Sequence, residues 1–597
     1  VPLPKTTQPR IQIQAVEPVV DCGRYPVKAT AGDTVEVYAT VFKDGHDTLA
    51  GAVRVKGPGD RRFSEQPLAA LGNDRWGGSF AVDRPGRWQF AVTAWTDRVA
   101  TWQDEIRRKT EAGQHDLAGE LAEGAVILGR ESVTVREGLA ADAGDRHGAV
   151  SSPSYEVDVD RELARFGAWY ELFPRSWGGF EGVAEVLPEL AGLGFDVVYL
   201  PPIHPIGRTN RKGRNNKLVA EPDDVGSPWA IGSEQGGHDA LNPELGTWKD
   251  FDAMVAAAKK AGVEIALDFA IQCSPDHPWL KDHPDWFNRR PDGTLKYAEN
   301  PPKKYQDIYN VNFDSDDWQG LWQALRDVVL VWVRRGITVF RVDNPHTKPA
   351  PFWEWLIREV RAENPDVIFL SEAFTRPSMM TTLAKLGFAQ SYTYFTWKNT
   401  KLELAEYMAQ LLAWQRFYRP NAFVNTQDIL HEYLQHGGPP AFEARLVLAA
   451  TLVPTYGVYS GFESFENVPL RPGSEEYLDS EKYEIKRRAL DGPLLPLVQR
   501  LNDIRRAHPA LQRVENLHWL DTENDLLVAY AKDDIVVVVN IDPFNEQEGV
   551  CVVPVALGYP PAFDARDLLG SQAFTWRAGR NYVRLGPGKS HVIEITP

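Results

Sequence analysis

Arg341 and Asp343 close the apolar run ITVFRVD (337–343). Side chains two residues apart on a strand share a face. The guanidinium therefore sits beside the carboxylate, and its charge keeps the acid ionised and able to act as a nucleophile. Glu372 ends a second run, VIFLSEAF (367–374), between apolar neighbours, a setting that raises a carboxyl pKa and lets the group carry a proton near neutral pH. A third acid, Asp428, ends AFVNTQD (422–428), and Asp268 lies in VEIALDFAI (263–271). Each alone reads equally well as one half of a structural ion pair. Together they fit retaining glycoside chemistry, in which two carboxyls about 5 Å apart share the work: one attacks the anomeric carbon, and the other protonates the leaving oxygen and then deprotonates the incoming group. No cluster with convincing metal-ligand spacing accompanies them, and this chemistry calls for no metal and no cofactor.

The acids need a scaffold that brings strand ends together. Apolar runs that read as strands alternate with helical segments: GAWYELFP (167–174), DVVYLPPI (196–203), the runs of Asp268, Asp343 and Glu372, SYTYF (391–395), the run of Asp428, and PTYGVYSG (454–461). Such alternation predicts parallel βα units. An open doubly wound sheet can be threaded through several of them. The acids at the C-terminal strand ends favour a closed (β/α)8 barrel over 151–500, whose active sites form on that face. Residues 206–248 are too long and too rich in Gly, Pro and Asn for an ordinary βα connection and read as a loop subdomain over the barrel mouth. Before the barrel, 1–150 reads as a β-sandwich with a helical insertion near 99–123, followed by a polar linker over 140–154. After it, 501–597 reads as a second β-sandwich, with LLVAYAKDDIVVVVNI (526–541) as a hairpin.

With 65 basic against 82 acidic residues the net charge is −17, which disfavours nucleic acid and anionic membranes as partners. Cys22, Cys273 and Cys551 are too scattered for a disulfide framework or a zinc site and fit a reducing cytoplasm. The longest uncharged apolar stretch, Leu446 to Tyr459, is broken by Pro454 and Gly457 and is too short for a membrane span. The opening residues carry no signal-peptide pattern.

The strand ends FRVD, Glu372 and Asp428, with DALNPELGT (239–247), resemble the α-amylase superfamily, glycoside hydrolase family 13. The resemblance implies Asp343 as nucleophile, Glu372 as general acid/base, Asp428 as the residue that holds sugar hydroxyls and stabilises the transition state, and Arg341 as the residue that orients Asp343. Two departures choose among its members. Where ordinary members carry sugar-binding histidines, this chain has Gln272-Cys273 and Gln427. DFAIQCSPDHPW (268–279), NPPKKYQDIYNVNFD (300–314), DNPHTKP (343–349) and SEKYEIK (480–486) are instead similar to the maltosyltransferase subgroup that takes α-maltose 1-phosphate as donor and extends an α-1,4-glucan. Gln427 stands where that subgroup leads one to expect proline.

By this resemblance Asn300, Lys303, Tyr305 and Asn344 contact the donor phosphate, while Lys212, Gln272, Asp307, Lys482 and Tyr483 hold its maltosyl unit. It also implies a homodimer formed through the N-terminal domain. Trp169, Trp177, Trp229 and Trp397 are candidates for sugar stacking or for core packing. The alternatives are an α-amylase-type hydrolase or another glycoside phosphorylase on the same barrel, and a non-catalytic glucan-binding protein.

Overall fold

A computed structural model describes the chain except Val1, Pro2, Pro4, Ala143, Pro301, Pro302, Ser571 and Pro597; the side chains of Asn300 and Lys303 also lie outside the description. The chain divides into two compact units, Val1–Arg161 and Glu162–Pro597.

In the first unit nine strands form one sheet around an apolar core that includes Val37, Val53, Phe90 and Val157. The helical insertion is longer than its sequence signal. Helices Arg98–Glu111 and Ala118–Ile127 are followed by Val135–Leu139, a five-residue helix fixed by a Thr134–Glu137 capping box and too short to show periodicity. The predicted linker contains an exposed strand, His147–Ser151, and Tyr155–Asp160 pairs with both Gly86–Thr96 and Val27–Thr30. The N-terminal sheet therefore runs past residue 150, where the sequence reading ends it.

The second unit opens with eight parallel strands: Gly167–Glu171, Val197–Leu200, Glu264–Phe269, Val339–Asp343, Ile368–Glu372, Gln390–Tyr392, Pro420–Phe423 and Thr455–Tyr459. The first pairs with the eighth, so the barrel is closed and the open-sheet alternative falls. Its interior follows from the two-residue strand period. Trp169, Val197, Tyr199, Ala266, Val339, Ile368, Leu370 and Phe423 point inward and pack as one core. Phe423 faces Gly457 across the ladder, where any Cβ would collide with its ring. Carrying the same parity to the strand ends brings in Glu171, Asp268, Arg341, Asp343 and Glu372. The acids are thus the topmost inward layer of the barrel.

Residues 206–247 have no regular element beyond a 3-10 turn at Arg214–Asn216. Arg211 knots this loop by donating to the carbonyls of Ile206, Gly207 and Asp224. A small antiparallel sheet, Gln272–Cys273 with Lys303–Asn310 and Tyr297–Asn300, stands above the third barrel strand. After helix Leu495–Ala507, eight C-terminal strands place one face each in a single core containing Leu520, Val536, Val553, Phe563 and Ile593. Leu527–Lys532 and Ile535–Asn540 form the predicted hairpin.

Candidate active site

Asp343 and Glu372 end adjacent strands and are paired in register. Neighbouring strands lie about 4.8 Å apart, close to the roughly 5–5.5 Å typical of retaining carboxyl pairs. One guanidinium spans both acids: Arg341 Nη1 donates to Asp343 Oδ1 at 2.8 Å, and Nη2 reaches Glu372 Oε1 at 2.9 Å. Nη1 also donates to Asp268 Oδ2 at 2.8 Å, and that carboxylate accepts from Tyr199 Oη and Trp229 Nε1 as well. Exposure separates the three acids. The side chains of Asp343 and Glu372 keep 10% and 12% of their surface accessible and Asp268 keeps none, so the first two can meet a substrate.

The same surroundings drive the two apart in protonation. Burial raises Glu372 to about 8 against the pull of Arg341, with the negative charges of Asp343 and Asp428 adding to the rise. Burial acts on Asp343 too, but Arg341, Lys348 and the bonds from Gln272 and Arg341 outweigh it and hold the acid below the usual carboxylate range. Near neutral pH the arrangement supplies one anion and one proton donor. Burial likewise lifts Asp268 to about 7.

Asn344 sits between the pair in a left-handed conformation (φ 42°, ψ 52°). Its backbone N–H donates to Glu372 Oε2 at 3.2 Å and its Nδ2 to Asp343 Oδ2 at 3.3 Å. Gln272 Nε2 donates to the same Oδ2 at 3.1 Å. Both residues, expected at the donor, also bond the Asp343 carboxylate.

Asp428 lies five residues beyond the seventh strand, in the turn Thr426–Ile429, and not at a strand end. Its Oδ1 pairs with Lys482 and its Oδ2 accepts from Gln427 Nε2 at 3.0 Å. Burial works against the Lys482 charge, but Asp428 outweighs it and raises the lysine. Lys482 also lies 5.7 Å from the Trp229 ring and 5.8 Å from that of Tyr483. Tyr483 and Asp307 are buried beside it, and burial raises both, Tyr483 to about 12. Buried Lys212 donates to Gln306 Oε1 at 2.6 Å, a partner sequence reasoning missed because Gln306 is one polar residue among several in a loop-like stretch. Tyr305 is half-buried on the same strand, paired with Ala298. The expectations for Asn300 and Lys303 concern side chains outside the described residues.

Asn215 and Asp479, both at positive φ, exchange two hydrogen bonds and clip the 206–248 loop to the segment that carries Lys482. Arg175 donates to the carbonyls of Gly226 and Glu481 and binds the same two segments. Among the tryptophan candidates, Trp169 is fully buried against Phe423 and belongs to the barrel core. Trp397 donates to Glu475, and Trp229 is committed to Asp268.

Among the described residues, His238, Cys273 and His277 bring metal-capable atoms together. Their tautomers oppose that use. His277 Nδ1 accepts the N–H of Trp279, so its Nε2 carries the proton, and that nitrogen lies 3.0 Å from His238 Nδ1. His238 Nε2 donates to the Ala270 carbonyl. The one imidazole lone pair aimed into the cluster, on His238 Nδ1, is therefore already taken. Burial keeps both rings neutral, at about 4 and about 2.

Barrel, acids and flanking β-rich regions define an α-amylase-type (β/α)8 enzyme. Residues 169–348 match the family model "Alpha amylase, catalytic domain". An α-amylase structure from Lactobacillus plantarum superposes with a TM-score of 0.56 at 22% identity, over 73% of this chain and 100% of that one. The maltogenic α-amylase AmyB of Thermotoga neapolitana gives 0.58 at 18%, over 72% and 99%. At these identities the likeness concerns the fold. The flanking regions are more specific: 9–153 match "Alpha-1,4-glucan:maltose-1-phosphate maltosyltransferase, domain N/S", and 519–595 match "GLGE, C-terminal". Proteins bearing the name alpha-1,4-glucan:maltose-1-phosphate maltosyltransferase are 50% identical in Streptomyces coelicolor, over 98% of this chain and 96% of the relative, and 46% in Mycobacterium tuberculosis, over 98% and 96%. A third, in Pseudomonas aeruginosa, is 47% identical over 97% and 95%. The chain belongs to the alpha-1,4-glucan:maltose-1-phosphate maltosyltransferase family.

Proposed function

We propose that this protein moves a maltosyl unit from α-maltose 1-phosphate to the 4-hydroxyl at the non-reducing end of an α-1,4-glucan, with release of inorganic phosphate and retention of configuration. The observation that carries the reading is the Asp343–Glu372 pair, in register, bridged by one arginine and opposite in protonation. Asp343 attacks C1 while Glu372 gives its proton to the leaving phosphate oxygen, and a β-maltosyl ester forms on Asp343. Glu372, now ionised, takes the proton of the acceptor hydroxyl as that oxygen displaces Asp343. Asp428, with Lys482 and Gln427 on its two oxygens, steadies the sugar hydroxyls as positive charge builds at C1.

Asn300, Lys303, Tyr305 and Asn344 take the phosphate, where a cation and hydroxyl or amide donors stabilise the departing charge. Lys212, Gln272, Asp307, Lys482 and Tyr483 take the maltosyl unit. The clipped loops exclude water, which would otherwise turn transfer into hydrolysis. The protein acts as a cytoplasmic homodimer in this reading. Three free cysteines favour that compartment; no helix among the described residues is long and apolar enough to cross a membrane. Incubation with α-maltose 1-phosphate and maltohexaose tests the function. Phosphate release matched by chains longer by whole maltosyl units is expected; free maltose as the main product overturns it.

A further inference from the structure

Lys348 has no role in the scheme above, yet it is the second cation at the nucleophile. It lies five residues past Asp343, between the 3-10 turn Pro345–Thr347 and the helix Ala350–Glu363, with 8% of its surface exposed. Its Nζ donates to two consecutive backbone carbonyls, those of Asn344 at 3.2 Å and Asp343 at 3.4 Å. These flank the one left-handed residue of the turn. The two carbonyl bonds from Lys348 hold the residue in that conformation, which asparagine tolerates better than most residues with a Cβ. It is also what aims the Asn344 N–H at Glu372 and the Asn344 amide at Asp343. The charged and titratable groups that act on Lys348 are Asp343, Glu372, Asp268 and Arg341, with His346 on its own turn. Two cations, Arg341 and Lys348, thus serve three carboxyl groups.

We propose that Lys348 is a positioning residue for glycosyl transfer: its ammonium gathers the Asp343 and Asn344 carbonyls, holds the left-handed turn, and so keeps nucleophile and acid aligned with each other. The inference rests on the assignment of Asp343 and Glu372 as the reacting pair. A lysine that only filled space would be replaceable by methionine, which matches its length and lacks its charge. A positioning lysine is replaceable in part by arginine, which keeps the charge and the donors.

Wild type, Lys348→Met and Lys348→Arg are compared for phosphate release from α-maltose 1-phosphate with maltohexaose as acceptor between about pH 3 and pH 9, with thermal melting to correct for folded protein. Lys348→Met is expected to lower kcat about 100-fold with donor KM within about threefold. Its acid limb of kcat/KM should move up by about one pH unit as Asp343 loses a cation, and Lys348→Arg should recover about tenfold of the lost rate. Wild-type kcat and an unmoved acid limb in Lys348→Met overturn the inference, as does a loss fully explained by unfolding. If the wild type itself releases no phosphate, the functional reading falls instead. The crystal structure of Lys348→Met then decides the geometry, since Asn344 still left-handed with both bonds intact refutes the positioning role.

Discussion

Two arginines in the second unit each gather carboxylates, and only one group is built to react. Arg488 binds Glu466 through Nη1 and Nη2 and Glu481 through Nε and Nη2, while Lys486 adds a bond to Glu466 at 3.1 Å. Two cations meet two carboxylates and the charge closes. Burial opposes ionisation of Glu466, but Arg488 outweighs it and holds the acid below its usual range, and Arg488 itself is raised. Around Arg341 the count differs: Asp268, Asp343 and Glu372 face Arg341 and Lys348. Burial, joined by the negative charges of Asp343 and Asp428, outweighs the pull of Arg341 and keeps the proton on Glu372 up to about 8. A balanced cluster is a brace, whereas a carboxyl surplus at an opening makes an acid and a base from the same chemistry.

The largest break in that comparison is Glu372→Gln. It removes the proposed proton donor while keeping the shape, and a fall of about 10³-fold in kcat is expected with phosphate as leaving group. In the wild type kcat/KM should decline as pH rises through about 8, where Glu372 loses its proton; in the variant that alkaline limb should be gone. A limb at the same pH in the variant would assign it to another group.

Next comes stability, where the clusters should respond with opposite signs. Glu372 has a raised pKa, so its contribution is fully present below the unfolded value near 4.5 and is lost as pH rises toward about 8. The advantage of Glu372→Gln over wild type in melting temperature should therefore grow between those limits. Glu466 has a lowered pKa, so its contribution is present above 4.5 and is lost as pH falls. Glu466→Gln should cost about 2 kcal/mol at neutral pH, less than the loss of a fully buried pair, and leave turnover per folded molecule unchanged. Parallel shifts in both variants would erase the distinction.

The smallest change sharpens the picture at the loop. Gln306→Ala frees Lys212 from its 2.6 Å bond, and donor KM should rise about fivefold at constant kcat, the worth of about 1 kcal/mol of lost hydrogen bonding. An unaltered KM would remove Lys212 from the donor site.

Much of this is legible in the amino-acid sequence. The eight strand runs carry β-branched and apolar residues, and strand parity turns Arg341 and Asp343 to one face, with Glu372 on the inward face of the next strand. What escaped the sequence depends on irregular backbone. Asn344, Asn215 and Asp479 adopt positive φ, and their contacts with Glu372, with each other and with Asp343 follow from turns that no periodicity announces. Nothing in the sequence around Lys348, two residues after a histidine and just before a proline, announces its two carbonyl partners. Trp169, which the sequence leaves open between sugar stacking and core packing, takes the second, because its parity sends it into the core. His147–Ser151 looked like linker because an exposed edge strand has no apolar face to advertise it.

The central claim is that Asp343 is the nucleophile that takes up the maltosyl unit as a covalent ester and Glu372 the acid that lets it form. Glu372→Ala incubated with α-maltosyl fluoride, whose leaving group needs no proton, should accumulate protein heavier by one maltosyl unit, with the adduct on the peptide that carries Asp343. An adduct on any other carboxylate, or none while fluoride is still released, would contradict the account.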